Sequence, residues 1–447
     1  MQKFRELKNN EGIRRRRPVK AIEITLFMCY DSYIIRLSAP CIVPAMGKQR
    51  LQALWLCKKR RPAMREGQGC FYNIGKEIYQ MSGKKRSYFW YCSIVILTAL
   101  FSYGYNITHY AIGVDDTAME LYFEEGLSVC TNRWTIFFLN RVLHFNIISW
   151  PTWLVEGLTV CILVFSFSLW CFLLSKVLKS VDITLPEWLY GLAAALAVSC
   201  PIISEVWVYY IHNGVAIAYG LTALALLLFM QSLQHGGRYC PVKIAGSGLC
   251  LAAALGCYET MMDCFLIGAF VIFMILQALS DKWQNRTYDI RPFPWAVKGG
   301  IVLTVSLLVR ASMHELFMSV YHLDNMAKYG VNNYNSMFGD LFVTPGALGL
   351  LIKKMYLRYC VNAVAYLPIT FLVLSGGIIG FLAVFFAIKK RNLWVFMCVP
   401  AMVLVPVLSS IVAGRAAAYH SAQFVPIIIM ASFIIGGGYY TISQIQR

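Results

Sequence analysis

About ten apolar stretches fill this chain from Ser87 to Tyr440, each near or above the roughly 18–20 residues that an α-helix needs to cross a bilayer. A transmembrane β-barrel would instead show alternating segments of about ten residues, whereas runs such as Leu221 to Met230 are nearly continuously apolar. The content of 58% hydrophobic and 14% charged residues also lies far from that of a soluble domain. The sequence therefore predicts an all-α polytopic membrane protein.

The expected spans are approximately 87–108, 152–175, 188–210, 212–234, 244–258, 261–280, 296–320, 362–388, 392–412 and 422–441. The loops between these spans alternate in charge. One set is basic and contains Lys176/Lys179, Arg238/Lys243, Lys282/Arg286/Arg291/Lys298 and Lys389/Lys390/Arg391. The other set contains Asp115-Asp116, Glu124-Glu125, Glu259, Asp324, Asp340 and Arg415 with His420. By the positive-inside rule, the basic loops and both termini are cytoplasmic, and the second set shares the outer face.

The basic excess of the chain belongs to its N-terminal segment. Residues 1–86 hold 20 Lys/Arg against 6 Asp/Glu, a charge of +14, whereas residues 87–447 hold 20 against 16, a charge of +4. We therefore divide the chain into a basic cytoplasmic segment, 1–86, and a membrane domain, 87–447. A basic segment ahead of a first membrane helix is typical of lipid anchoring, and we expect no nucleic-acid partner.

Two interpretations of the first 80 residues stay open. They mix basic runs with short apolar pieces and show neither sustained periodicity nor a cleavable signal peptide. The sequence Met81-Ser82-Gly83-Lys84-Lys85-Arg86, followed by an apolar run, is a natural beginning for a membrane protein. Residues 1–80 are then either part of the physiological protein or an extension from a misassigned start.

Two of the predicted outer segments are long enough to hold structure of their own. Segment 109–151 alternates apolar and polar residues at helical spacing from Arg133 to Trp150. Segment 321–361 begins with an Asn-rich stretch and ends with a similar pattern from Ala347 to Tyr359. Each pattern predicts a helix that lies along the membrane interface rather than crossing it.

The adjacent carboxylates of Asp115 and Asp116 follow the first span, at the predicted outer boundary. Because like charges repel, one pKa of such a pair should rise unless a cation intervenes. A carboxylate here can act as a general base or ligate a divalent metal. The alternative is helix capping, since Asp-Asp-Thr before a helical stretch is ordinary capping chemistry.

Several other ionisable residues lie in or beside apolar runs. Glu259 follows Tyr258 between two closely spaced spans, and a carboxylate in such surroundings is a functional candidate. The outer guanidinium groups of Arg133 and Arg415 suit phosphate oxygens, or they simply reach the headgroups. Arg310 and His314 lie inside a span, where a buried ion pair or a phosphate contact would explain each.

Common catalytic and cofactor motifs are missing from the sequence. There is no Walker motif, GxSxG or HExxH, so we expect no nucleotide site and no hydrolase of the soluble type. Most of the 15 cysteines stand singly in apolar runs, where Cys acts as a small hydrophobe. No pair has CxxC spacing, so zinc and redox sites are not favoured. A divalent metal at the outer carboxylates stays open.

Short motifs along the chain carry a resemblance to a known family. They are Val114-Asp115-Asp116-Thr117, Arg133-Trp134, Leu255-Gly256-Cys257-Tyr258-Glu259 and Gly414-Arg415. From Lys84 onward, over about 360 residues, the chain resembles the type II glucosyltransferases associated with bacteriophage-encoded O-antigen serotype conversion. Two departures stand out. The family commonly has Gly-Arg-Trp where this chain has Asn132-Arg133-Trp134, and a Gln often follows the Tyr where this chain has Glu259.

The resemblance implies a GT-C-like multi-span fold and a reaction. Glucose or a related hexose would pass from an undecaprenyl-phosphate-linked donor to a lipid-linked O-antigen repeat, on the periplasmic face of the bacterial inner membrane. The catalytic candidates are Asp115 and Asp116, with Glu259 as second choice for the base. The candidates for the donor phosphate are Arg415, Arg133, Lys353 and Lys354. The candidates for substrate binding are Trp134, Tyr258 and His420.

Two other functions fit a chain of this type. A lipid-linked-sugar or polysaccharide transporter, such as a flippase, would need polar residues near mid-bilayer, and the clear candidates are few: Glu205, Asp263, Arg310 and His314. An O-antigen polymerase would carry a very large late outer loop, and segment 321–361 is modest by comparison. The position of the acidic pair after the first span favours the transferase.

Overall fold

The structure is a computed structural model, and it describes residues 91–109, 126–145, 150–206, 212–235, 240–280, 285, 287–322, 346–356, 369–412 and 423–445. All of these residues belong to one compact unit, Ile78–Arg447. Within these ranges the chain is helical and forms no β-strand, apart from an isolated antiparallel bridge between Gln234 and Tyr288. The N-terminal basic segment and the proposed start at Met81 lie outside the described residues.

The described helices follow the apolar pattern of the sequence. The first four are α1 (Tyr91–Thr108), α2 (Leu127–Cys130), α3 (Trp134–Phe137, continued by a π-helical turn, Phe138–Val142) and α4 (Thr152–Lys179). The next five are α5 (Glu187–Val198), α6 (Pro201–Val206), α7 (His212–Ser232), α8 (Cys240–Leu255) and α9 (Met261–Leu279). The last five are α10 (Pro292–Val320), α11 (Ala347–Tyr356), α12 (Ile369–Lys390), α13 (Leu393–Val412) and α14 (Val425–Ile445).

Five of these helices are long and apolar enough to cross a membrane, namely α1, α4, α7, α9 and α10. Five shorter apolar helices lie in α5, α8, α12, α13 and α14. The prediction of a helical membrane protein is thereby confirmed. The count of ten spans and the GT-C-like arrangement stay predictions.

The expected continuous span at 188–210 was wrong, because the helix breaks between Val198 and Pro201. Proline has no backbone N–H and disturbs the preceding helical turn, so carbonyl groups are left without their usual partners. The Tyr103 hydroxyl replaces one of these partners by donating to the Val198 carbonyl at 2.6 Å, and after the break the Gln423 amide donates to the Ile202 carbonyl at 3.2 Å. In an apolar environment such replacement is what makes a broken helix tolerable.

The helix expected from Arg133 to Trp150 was also wrong in its extent, and its location along the membrane interface stays a prediction. The helical segment ends at Val142, in a π-helical turn, and Ile136 and Phe137 are buried in the protein. The apolar residues at helical spacing do share one face of the helix, and this face packs against other helices. The later expectation, from Ala347 to Tyr359, is confirmed as a helix over Ala347–Tyr356.

Helix α9 is the centre of the bundle, with 78% of its apolar window buried. It packs against α4, α7, α8, α12, α13 and α14. Its two ends fix its direction relative to α13. The Ser409 hydroxyl donates to the Asp263 carboxylate at one end, and the Asn392 amide donates to the Gln277 side chain at the other. The two helices are therefore antiparallel.

The described parts of the predicted cytoplasmic loops gather at the end of the bundle that holds Gln277 and Asn392, which we call the basic end. There the Gln277 amide donates to the Ile290 carbonyl, and Lys298 donates to the Ser232 carbonyl at 2.6 Å. The opposite end, marked by Glu259, Asp263 and Ser409, we call the site end. The alternation of charge in the sequence thus corresponds to two ends of one helix bundle.

Asn285 joins three loops at the basic end. Its amide group donates to the Ser180 carbonyl and to the Ser280 hydroxyl, both at 3.1 Å. Its carbonyl oxygen accepts from the backbone N–H groups of Thr287 and Tyr288, at 2.8 and 2.9 Å. Because the side chain is buried, these four bonds replace water and fix the path of the chain between α9 and α10.

Replacing Asn285 by Ala should lower the free energy of unfolding by about 2 kcal/mol, because buried partners lose their hydrogen bonds. The measurement is thermal unfolding of the purified protein in detergent. The control is Thr304→Ala, since the exposed Thr304 hydroxyl bonds only to the Gly300 carbonyl of its own helix. Equal melting temperatures for the two variants would contradict the role given to Asn285.

Candidate functional site

The segment that carries Arg133 folds back into the protein between the α8–α9 turn and the last turns of α10. Two residues with positive φ shape it: Gly126, at +81°, precedes α2, and Asn132, at +62°, separates α2 from α3. Glycine and asparagine are the residues that adopt this left-handed conformation at low cost. The Arg133 N–H then donates to the Ser128 carbonyl at 2.7 Å, which closes the turn.

Thr135 attaches α3 to the end of α8. Its backbone N–H donates to the Gly256 carbonyl at 3.0 Å, and its hydroxyl donates to the Ala253 carbonyl at 2.9 Å. The last carbonyl groups of a helix have no partner within that helix. Thr135 supplies partners to two of them, so the position of Arg133 and Trp134 is set by the end of α8.

Gly256 makes this approach sterically feasible. A Cβ atom at this position would collide with the Thr135 hydroxyl oxygen, and it would lie 2.6 Å from Trp134 Cε2 and 2.9 Å from Trp134 Nε1, which is closer than non-bonded atoms allow. The indole ring thus lies directly against the glycine backbone. The sequence motif Leu255-Gly256-Cys257-Tyr258-Glu259 has its glycine where Trp134 must fit.

Aromatic rings hold the other side of the segment against α10. The Trp134 ring lies 6.1 Å from the Phe317 ring, and Phe137 lies 5.9 Å from Phe317 and 4.8 Å from Tyr321 between centroids. Edge-to-face geometry of the two Phe137 pairs is the favoured arrangement for such rings. The segment is therefore fixed on both sides, by hydrogen bonds to α8 and by ring packing to α10.

The Arg133 guanidinium lies between two residues of the α8–α9 turn. Its Nε is 3.6 Å from a Glu259 carboxylate oxygen, and its centre is 5.3 Å from the Tyr258 ring centroid. The Arg133 side chain is 13% exposed and that of Glu259 is 30% exposed. The site thus presents a positive group, backed by an aromatic ring and partly balanced by a carboxylate, that a ligand can reach at the Glu259 side.

Polar atoms around Arg133 are buried without a hydrogen-bond partner among the described residues. They are the Trp134 indole N–H, the Asn132 side-chain oxygen and the Thr260 hydroxyl. Buried polar groups nearly always find partners in a functioning protein. Donors and an acceptor so close to a cation suit the hydroxyl groups of a sugar.

The cysteines of this region contribute to the packing of the protein interior. Burial raises the pKa of the Cys257 thiol, and burial likewise raises that of Cys130. The Cys130 sulfur lies 4.0 Å from the Met318 sulfur. Both thiols are therefore neutral at physiological pH, which makes them poor nucleophiles and metal ligands.

Asp263 also lies at the site end, although the sequence motifs did not predict it as a site residue. It lies one helical turn after Glu259, is 4% exposed, and accepts a hydrogen bond from the Ser409 hydroxyl at 3.1 Å. The contact joins the α8–α9 turn to the end of α13, a few residues before Arg415. The sequence signal was available, as an aspartate at helical spacing from Glu259.

The structure brings together four of the predicted site residues: Arg133, Trp134, Tyr258 and Glu259. Lys353 and Lys354 are exposed on α11, which packs against α13. Within the described residues, no hydrogen bond or ion pair links either lysine to Arg133 or Glu259.

Four further predicted residues lie outside the described ranges and stay predictions, namely Asp115, Asp116, Arg415 and His420. The ranges that are described contain no group of three or more His, Cys, Asp or Glu residues placed to hold a metal ion.

Replacing Gly256 by Ala should lower the free energy of unfolding by roughly 1–3 kcal/mol, because the added methyl group forces Trp134 away from α8. Thermal unfolding in detergent measures the change. Gly300→Ala is the matched control, since a Cβ there meets nothing within 4 Å and alanine favours the helix. A Gly256→Ala protein as stable as this control would refute the proposed fit of the indole ring.

Comparison with known proteins identifies the family of the chain. No curated protein and no solved structure matches the chain. The sequence model of a family described as glucosyl transferase GtrII matches residues 104–435. This range includes the Asp115-Asp116 pair, the Arg133 segment, the α8–α9 turn and Arg415. Since the match spans most of the chain, the protein belongs to the GtrII family of glucosyl transferases.

Proposed function

We propose that this membrane glucosyltransferase moves glucose, or a related hexose, from an undecaprenyl-phosphate carrier to an O-antigen repeat unit. The transfer takes place on the periplasmic face of the bacterial inner membrane. One structural observation supports the proposal in addition to the family match. Arg133 contacts Tyr258 and Glu259 at the end of the bundle opposite the basic loops. A lipid-linked donor presents its phosphate and sugar at headgroup depth, where the end of a helix bundle can reach them.

The two ends of the bundle support the sidedness of this proposal. Lys243 and Lys298 donate to the Gln231 and Ser232 carbonyls at the basic end. By the positive-inside rule this end faces the cytoplasm, so the site end faces the periplasm. A substrate carried by a lipid in the outer leaflet would meet Arg133 there.

The reaction requires a base and a group that stabilises the departing phosphate. The acceptor hydroxyl oxygen bonds to the anomeric carbon of the donor sugar, and the bond from that carbon to the phosphate oxygen breaks. The hydroxyl proton passes to a carboxylate, for which Asp115 or Asp116 is our first choice. The lipid phosphate leaves with the bonding electron pair, and Arg133 and Arg415 stabilise its charge, with Lys353 and Lys354 as additional candidates.

The contact with Arg133 bears on the role of Glu259. A carboxylate that balances a guanidinium orients that cation toward the phosphate, and this task also suits the Gln that the family often has here. Glu259 therefore remains the second choice for the base. Tyr258, stacked on Arg133, and Trp134, with its unpartnered indole N–H among the described residues, are our candidates for sugar contacts, together with His420.

The double variant Asp115→Asn, Asp116→Asn should lose about 10²-fold or more in transfer rate, because the proposed base for the acceptor hydroxyl is removed. Transfer of labelled sugar from the carrier lipid, by protein in membrane vesicles, is the measurement. Asp182→Asn is the control: Asp182 is exposed near the basic end, and its φ of +60° is one that Asn adopts readily. Full activity of the double variant would remove both residues from the mechanism.

Arg133→Gln should lower the transfer rate by about 10²-fold, because a preorganised cation next to the leaving group is lost. Glu259→Gln should stay within about tenfold of the unaltered protein, because the amide can still contact Arg133. Arg133→Lys keeps the charge and serves as the control for folding. If Glu259→Gln were the more severe variant, the base would be Glu259 rather than the aspartate pair.

A reconstituted assay separates this function from its two alternatives. A transferase consumes the labelled carrier donor and adds a side-branch sugar to the surface polysaccharide of the host. A flippase moves the donor without consuming it, and a polymerase lengthens the polysaccharide without changing its sugar composition. Absence of a new sugar in a host that makes both substrates would overturn the proposed transfer.

A further inference from the structure

Two basic residues on α10 lie beside the Arg133 segment and have no part in the site described so far. Arg310 and His314 are four residues apart, so they share one face of the helix, which Phe317 and Tyr321 continue. Phe317 and Tyr321 pack on the rings of α3, as described above. The face that carries both basic groups is therefore the one that meets the Arg133 segment.

Contacts at His314 support this placement. Its ring interacts with the charge of the neighbouring Glu315, with the backbone of Val129, in α2, and with the charge of Arg310. The Nδ1 atom of His314 is buried and has no hydrogen-bond partner among the described residues. Val129 precedes Arg133 by four residues, across the turn at Asn132, so this short segment connects the two basic groups of α10 with the cation of the site.

The depth of these groups in the membrane is unusual for cations. A 29-residue helix is about 43 Å long, whereas the hydrocarbon core is about 30 Å thick. If Lys298 marks the inner boundary, Arg310 lies about 18 Å and His314 about 24 Å toward the outer surface. Both are then in the outer leaflet, below the headgroups. Ionisable groups at such depth are costly and usually serve a function.

We propose that Arg310 and His314 form a second phosphate-binding subsite that holds the phosphate of the polyprenyl carrier on the lipid side of Arg133. This inference rests on the proposed function, which names a lipid-linked substrate. Only a phosphate that is anchored to a lipid can enter the subsite from within the leaflet. The guanidinium supplies a paired donor geometry for phosphate oxygens. The negative charge of the bound phosphate favours the doubly protonated imidazole, whose Nδ1–H then donates one more hydrogen bond. After transfer, the same groups bind the carrier phosphate that leaves, until the lipid diffuses away.

Headgroup anchoring is the competing role for these residues, and the structure argues against it. An anchoring residue extends along the lipid-facing side of its helix. His314 instead shares a face with aromatic residues that pack on α3. Glu315, the next residue, is exposed and its carboxylate interacts with His314, so it provides a comparison of opposite charge at nearly the same depth.

The test is direct binding of a polyprenyl phosphate, and of the matching polyprenol, to the full-length protein in lipid nanodiscs. We expect the unaltered protein to bind the phosphate in preference to the alcohol. Arg310→Gln and His314→Gln should each weaken phosphate binding about tenfold, and Glu315→Gln should not weaken it. Arg310→Lys should retain more binding than Arg310→Gln, which separates loss of charge from loss of folding.

The outcomes separate this subsite from the proposed reaction. Phosphate binding that depends on Arg133 but is unchanged in Arg310→Gln and His314→Gln would overturn the subsite and leave the transferase intact. Phosphate binding that depends on Arg310 and His314, in a protein that transfers no sugar, would overturn the reaction and leave the subsite intact. Equal affinity for the phosphate and the alcohol would also overturn the subsite.

Discussion

The attachment of Thr135 to the last carbonyl groups of α8 is the interaction on which the rest of the site depends. An apolar environment leaves no water to satisfy the end of a helix, so protein groups must do so. Thr135 provides both a backbone and a side-chain donor, and Gly256 leaves room for Trp134 beside it. Arg133 is thereby carried to Tyr258 and Glu259, although more than 100 residues of chain separate them.

Apolar length and loop charge predicted much of the fold. Helices lie within the expected spans, although the span at 188–210 is broken, and the described parts of the loops rich in Lys and Arg lie at one end of the bundle. Apolar length and loop charge predict these features because they follow burial and charge directly. The break at Pro201 was foreseeable from proline chemistry alone. The π-helical turn Phe138–Val142 was not, since helical periodicity does not distinguish a π-helical turn from an α-helical one. Periodicity identifies an apolar face without saying whether lipid or protein covers it.

Short motifs predicted the members of the site without their geometry. Nothing in the sequence pairs Arg133 with Glu259, because that contact depends on how α3 meets α8. The two departures from the family become understandable in the fold. Asn132 occupies a left-handed position, where Gly and Asn are both suitable, and Glu259 meets a guanidinium that a Gln amide can also contact. Both substitutions are therefore compatible with the same left-handed backbone conformation before Arg133 and with the same contact to its guanidinium.

The central claim is that Arg133 and its partners face the periplasm while the basic loops face the cytoplasm. Reporter enzymes that are active only outside the cytoplasm, fused after His322 and, in a second protein, after Arg291, test it most directly. The two junctions lie at opposite ends of α10. We expect an active reporter after His322 and an inactive one after Arg291. The reverse pattern, or equal activity at both junctions, would contradict this orientation in the membrane.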